Sequence, residues 1–105
     1  MYKDLIRLDR FPTKWCPGCG IGQILIQLTK AMDQMGLDHT NSTIITGIGC
    51  TGRLSGYVNI DTVYTLHGRT LPMAEAIKTV NPNLKVIVVS GDGDLSSIGG
   101  NHLVH

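Results

Sequence analysis

Apolar residues recur at three- and four-residue spacing at Ile21, Ile24, Leu25, Leu28, Ala31, Met32 and Met35. That period predicts an amphipathic helix over 21–35 whose apolar side packs into a core. Gly36 follows and is the expected stop, because a helix commonly ends on a left-handed residue that glycine adopts without strain. Thr43-Ile44-Ile45-Thr46 predicts a short strand ended by Gly47. A second helix is predicted from Pro72 through Ala74, Ala76, Ile77 and Val80, with proline in its first turn and Asn81-Pro82 beyond its end. Lys85-Val86-Ile87-Val88-Val89 is β-branched without alternation, the pattern of a strand buried on both faces in a parallel sheet. Ser96 or Ser97 is the expected cap of a last helix running to the final residue. Tyr57 to Leu66 has some β-branched character but no decisive period. Residues 1–15 predict an irregular lead-in, with Pro12 blocking regular structure. Strands alternating with helices imply an α/β fold built as a doubly wound parallel sheet.

The chain has 105 residues, enough for one small domain or a part of a larger one. With 42% hydrophobic and 16% charged residues its composition is globular rather than disordered. A formal net charge of +1, with no basic cluster interleaved with aromatics, points away from nucleic acid. No apolar leader opens the chain, and no run approaches the roughly 20 apolar residues that span a bilayer, so no membrane partner is expected and the cytoplasm is the default location. There are three cysteines, and in a reducing compartment they favour metal or redox chemistry over a disulfide framework.

The 13 glycines concentrate around Cys16-Pro17-Gly18-Cys19-Gly20, Gly47-Ile48-Gly49-Cys50-Thr51-Gly52 and Gly91-Asp92-Gly93, where backbone is expected to approach ligands closely. In the CxxC, Gly18 permits the tight turn that turns two thiols toward one metal. Thiolates suit zinc or an iron–sulfur cluster. Cys50 lies in a similar setting, and a fourth ligand then comes from outside the chain or from His39 or His67. A redox pair, a structural zinc site, an iron–sulfur site and an inert Cys50 all remain open on the residues alone. Ser90-Gly91-Asp92-Gly93-Asp94 follows an apolar strand and precedes a helix. Asp92 there is placed to hold a divalent cation that bridges a pyrophosphate, and the competing reading is a turn in which the aspartate caps the helix.

In order along the chain, Trp15-Cys-Pro-Gly-Cys-Gly20, Gly47-Ile-Gly-Cys-Thr51, Thr65-Leu-His-Gly-Arg69 with Pro72, Asn81-Pro82, and Ser90-Gly-Asp-Gly-Asp-Leu95 with Ile98-Gly99 resemble the β subunits of 2-oxoacid:ferredoxin oxidoreductases. The resemblance runs from Pro12 to the last residue. It implies a doubly wound thiamine-diphosphate-binding domain, of which residues 1–105 are the N-terminal part. It implies that Cys16, Cys19 and Cys50 are three of the four ligands of a 4Fe-4S cluster and that Asp92 is a Mg²⁺ ligand. Gly91, Gly93 and Asp94 share that cofactor motif. Ile48, Gly49, Cys50 and Thr51 match a loop lying against thiamine diphosphate, His67 and Gly68 match positions near its diphosphate, and Arg53 matches a basic residue facing the substrate carboxylate.

The implied reaction is coenzyme A-dependent oxidative decarboxylation of a 2-oxoacid such as 2-oxoglutarate or pyruvate, with electrons leaving through the cluster to ferredoxin. An α subunit is the implied partner. It supplies the carboxylate that activates the cofactor, so no general base is nominated here. The pattern departs from the family in two places: the Asn-containing segment that completes the Mg²⁺ shell and the fourth cluster cysteine both lie downstream in the family. Both sites are therefore expected to be incomplete within these residues. The alternative expectation is an iron–sulfur or zinc-binding module without catalytic activity.

Overall fold

A computed structural model describes residues 2–16 and 19–105. Its centre is a three-stranded parallel sheet of β1 (Ser42–Thr46), β2 (Asp61–Tyr64) and β3 (Lys85–Val89) in the order β2-β1-β3. Thr43 pairs with Asp61 on one side of β1, and Ser42 pairs with Lys85 on the other. Every residue of β1 is buried, as expected for a central strand covered on both faces. The run in β3 behaves differently. It forms the predicted strand but lies at the sheet edge among the described residues, and it is only half-buried. A β-branched run reports a strand's preference for apolar surroundings, not its place in the sheet.

The helices are α1 (Gly20–Gln34), α2 (Thr70–Val80) and the short α3 (Gly100–Val104). The predicted stop of α1 is present in full. Gly36 has φ +73°, its N–H donates to the Asp33 carbonyl, and the Leu37 N–H donates to the Met32 carbonyl at 2.9 Å. This is the double bond of a Schellman motif, and Leu37 then buries in the same core as Met32. The expected apolar stripe is narrower than its sequence. Leu25, Thr29 and Met32 are buried, whereas Ile24 and Met35 are exposed. Thr29 enters the core because its hydroxyl donates to the carbonyls of Leu25 and Ile26. Helix α2 starts at Thr70, two residues before Pro72, and Val80 at its end is exposed rather than packed.

The lead-in contains two one-turn 3₁₀ segments, Tyr2–Leu5 and Leu8–Arg10, and an isolated antiparallel bridge from Ile6 to Val58. The ambiguous stretch from Tyr57 to Leu66 starts at the end of a 3₁₀ turn, Thr51–Tyr57, and contains β2. Neither Ser96 nor Ser97 caps the last helix. Ser96 Oγ donates to the Asp92 carbonyl within a π-helical turn at Gly93–Ser97, and Gly99 stands before α3. The main core joins Leu25 and Met32 of α1 to Ile44 of β1, Leu54, Tyr57 and Val58, and Leu5 and Trp15 of the lead-in. No helix among the described residues is long and apolar enough to cross a membrane.

Candidate functional site

Parallel strands all end on one side, so the loops after β1, β2 and β3 emerge together. They meet at Asp94. This aspartate is 2% exposed. His67 Nδ1 donates to Asp94 Oδ1 at 2.5 Å, and the Gly68 N–H donates to the same oxygen at 2.6 Å. Ser90 Oγ donates to Oδ2 at 2.5 Å. With its proton held on Nδ1, His67 presents Nε2 as the uncommitted nitrogen. Burial pushes the Asp94 pKa up, but the bonds from Ser90, Gly68 and His67 outweigh it and hold the carboxyl below its ordinary value of 3.8. The carboxylate is thus kept charged.

The loop after β1 closes on the same group. A Cβ on Gly47 would stand 1.7 Å from Asp94 Oδ2, so only glycine fits there. Gly68, after β2, has φ +78°, and a Cβ on it would stand 2.1 Å from Ile98 Cγ2. Thr51 Oγ1 lies 4.0 Å from the place a Cβ on Gly91 would take, which brings the first loop beside the turn after β3. At the end of β1 the buried Thr46 hydroxyl has no partner among the described residues.

Asp92, two residues before Asp94, is exposed, and its side chain makes no cap bond. The competing reading of a helix-capping aspartate therefore does not describe it. A hard, uncommitted carboxylate beside two glycines fits a divalent cation, while Asp94 has both oxygens engaged by protein donors and serves the site from behind. Ile48 and Cys50 are exposed on the loop after β1, and Gly49 has φ +127°. His67 is exposed and Gly68 buried on the loop after β2. The structure therefore brings together Ile48, Gly49, Cys50, Thr51, His67, Gly68, Gly91, Asp92, Gly93 and Asp94 at one end of the sheet.

The cysteines are assembled more loosely. The turn expected of Gly18 lies outside the described residues, as does Pro17. On either side of it, the Cys19 N–H donates to the Cys16 carbonyl at 3.0 Å. Trp15 Nε1 donates to the Cys50 carbonyl at 2.7 Å and ties the loop after β1 to the CxxC segment. All three cysteines are free thiols, with Cys16 and Cys50 exposed. They are the right donors for a cluster but one short of four. No group of three His, Cys, Asp or Glu is placed to hold a metal ion among the described residues. Of the two histidines considered as a further ligand, His67 bonds Asp94 through Nδ1 and keeps Nε2, whereas His39 precedes β1, at the opposite end of the strand from Cys50. Arg53 is exposed on the Thr51–Tyr57 turn.

Ser90, Trp15 and Gly47 were not among the expected site residues. Ser90 carries a signal, since it stands four residues before Asp94 across the turn. Trp15 carries one too, as the neighbour of the CxxC.

The thiamine pyrophosphate enzyme family, by its C-terminal TPP binding domain, matches residues 39–105. The 2-oxoglutarate synthase subunit KorB of Methanothermobacter thermautotrophicus is 45% identical over 104 residues, 99% of this chain and 36% of that protein. The β subunit of 2-oxoacid:ferredoxin oxidoreductase 2 of Aeropyrum pernix is 47% identical over 91 residues, 87% of this chain and 29% of that protein. A solved 2-oxoglutarate:ferredoxin oxidoreductase from Magnetococcus marinus, with 2-oxoglutarate, coenzyme A and succinyl-CoA bound, superimposes with a TM-score of 0.89 at 42% identity. That match covers 96% of this chain and 34% of the solved one. The chain thus spans about a third of the length of these relatives. It belongs to the thiamine pyrophosphate enzymes, through their TPP-binding domain, in the company of the 2-oxoacid:ferredoxin oxidoreductase β subunits.

Proposed function

We propose that this chain is the N-terminal part of the cofactor-binding β subunit of a 2-oxoacid:ferredoxin oxidoreductase. The observation that carries this reading is the convergence of three loops on Asp94, which leaves Asp92 uncommitted between two glycines at the carboxyl ends of the strands. Asp92 would hold Mg²⁺ against the diphosphate of thiamine diphosphate. Asp94 positions the loops that flank it by fixing His67, Gly68 and Ser90. The loop from Ile48 to Thr51 would lie along the cofactor. When bound, thiamine diphosphate supplies the carbanion that attacks the 2-oxo carbon and the electron sink used as CO₂ leaves.

Cys16, Cys19 and Cys50 would supply three thiolates to a 4Fe-4S cluster, and the rest of the subunit the fourth. Trp15 holds the Cys50 backbone against the CxxC, which supports a cluster site beside the cofactor loop. That adjacency suits single-electron transfer to ferredoxin. Arg53 would face the substrate carboxylate. The α subunit, coenzyme A as acyl acceptor and a cytoplasmic setting complete the proposal.

The test uses the full-length β subunit assembled anaerobically with its α partner. Coenzyme A-dependent reduction of ferredoxin by 2-oxoglutarate or pyruvate is expected, with both thiamine diphosphate and Mg²⁺ required. An assembled, cluster-loaded complex that turns over no 2-oxoacid refutes the reading.

A further inference from the structure

Two of the thiols belong to one turn. The Cys19 N–H donates to the Cys16 carbonyl at 3.0 Å, and a bond between residues three apart holds their Cα atoms within about 7 Å. A disulfide spans about 4.4–6.8 Å between Cα atoms, so this turn brings the pair into bridging range. Both cysteines line one hollow between the lead-in and α1, walled by Phe11, Trp15 and Gln23. A Cβ on Gly20 or Gly22 would meet nothing within 4 Å, so the start of α1 does not crowd them.

The two thiols are placed unequally. Cys16 is exposed, whereas Cys19 is half-buried at the N-cap of α1 and packs against the main core. A reagent from solution therefore meets Cys16 first. Cys19, held by the helix it begins, is the neighbour that answers. Cys50 is exposed too, but it does not line the hollow, and its carbonyl is held by Trp15.

We infer that Cys16 and Cys19 are a reversible redox pair, which closes to an intrachain disulfide when no metal occupies their sulfurs. The reagent it takes is a low-molecular-weight disulfide such as oxidised glutathione. Cys16 loses its proton, its sulfur attacks one sulfur of that disulfide, and the first small thiolate leaves. Cys19 loses its proton in turn, attacks the Cys16 sulfur of the mixed disulfide and expels the second small thiolate. The two thiolates take up the two protons. Two electrons thus pass from the protein thiols to one small disulfide, which becomes two small thiols. In a reducing compartment such a bridge is transient and reports oxidation. A closed pair offers no thiolate to iron, so closure shuts the cysteine face to a cluster until a thiol reopens it. That consequence rests on the function proposed above, whereas the bridge itself does not.

The experiment takes the full-length β subunit, stripped of metal and reduced. It is treated anaerobically with oxidised glutathione, alkylated and mapped by peptide mass spectrometry. A Cys16–Cys19 link that dithiothreitol reverses is expected, with Cys50 outside it. C50S is expected to close at a rate within about twofold of the parent, because neither the attacking nor the leaving sulfur has changed. C19S is expected to halt after the first step, with glutathione retained on Cys16. Glutathione that stays on Cys16 in the parent, a link from either cysteine to any other, or no reaction at Cys16 overturns the inference. Mapping of the parent decides among these outcomes even where a variant fails to fold. Iron and sulfide are then offered to the oxidised, reduced and re-reduced subunit, and bound iron is counted. Uptake by the two reduced forms and its loss in the oxidised form are expected, and equal uptake by all three overturns the shutting of the cysteine face. If the reduced form also takes up no iron, the cluster of the proposed function falls on its own, and the mapped link still decides the pair.

Discussion

The turn after β3 and the cysteine face share the loop after β1, yet they are held in opposite ways. Around Asp94, one buried carboxylate accepts three hydrogen bonds from residues on two loops, and Gly47 of a third loop lies against it. Around the cysteines, an indole bond at 2.7 Å joins two segments whose thiols are exposed or half-exposed. The first region is organised by the protein's own polar groups. The second presents soft donors, of which Cys16 and Cys50 are exposed. The Asp94 end is thus preorganised by the protein itself, and the cysteine face less so.

Asp94→Ala is the strongest way to break this contrast. It strands the buried Gly68 N–H and unties His67 and Ser90, and a loss of about 3 kcal/mol in denaturant-derived stability is expected. Gly47→Ala drives a methyl group into the same carboxylate and is expected to cost about 2 kcal/mol. Because both substitutions act through one contact, the double variant is expected to lose clearly less than the sum, and strict additivity would show that the two residues are not coupled.

Asp94 also gives the contrast an acid signature. Its folded pKa is depressed, so its contribution to stability is complete above its ordinary value of 3.8 and disappears as pH falls below that value. Acid titration of the full-length subunit is expected to show this loss, and Asp94→Ala is expected to flatten it.

On the other face, Trp15→Phe keeps the ring and removes its N–H donor. A cost of about 1 kcal/mol is expected, with faster loss of iron and sulfide from the assembled enzyme. A cost equal to that of Asp94→Ala would erase the difference between the two faces. The smallest effect on folding belongs to Asp92→Asn, within about 0.5 kcal/mol, because this side chain is exposed and makes no cap bond. The same change is expected to weaken Mg²⁺-dependent binding of thiamine diphosphate in the full-length subunit, and an unaltered magnesium dependence would remove Asp92 from the site.

Much of this architecture was legible in the sequence where the cause is local. Gly36 ends α1 through the left-handed geometry its position suggested, and the β-branched run at 85–89 forms its strand. Features decided by distant residues were not legible. The division of labour between Asp92 and Asp94 depends on Gly68 and His67, which lie 26 and 27 residues away from Asp94, and nothing local in the Gly-Asp-Gly-Asp string distinguishes the two. How far β3 is buried depends on strand order and on what covers it, which a β-branched run does not encode. The four-residue strand β2 is too short to impose a period.

The position of Asp94 in the chain also sets an order of events. A polypeptide emerges from the ribosome from its N terminus, and contacts of long sequence separation close late. Gly47, His67 and Gly68 are all synthesised before the carboxylate they enclose. Until β3 has added to the sheet and the turn beyond it has delivered Asp94, the loops after β1 and β2 lack their shared anchor. One later residue thus fixes two earlier loops at once, and a nascent chain that has not reached Asp94 carries Gly47 and Gly68 without the contact that orders them.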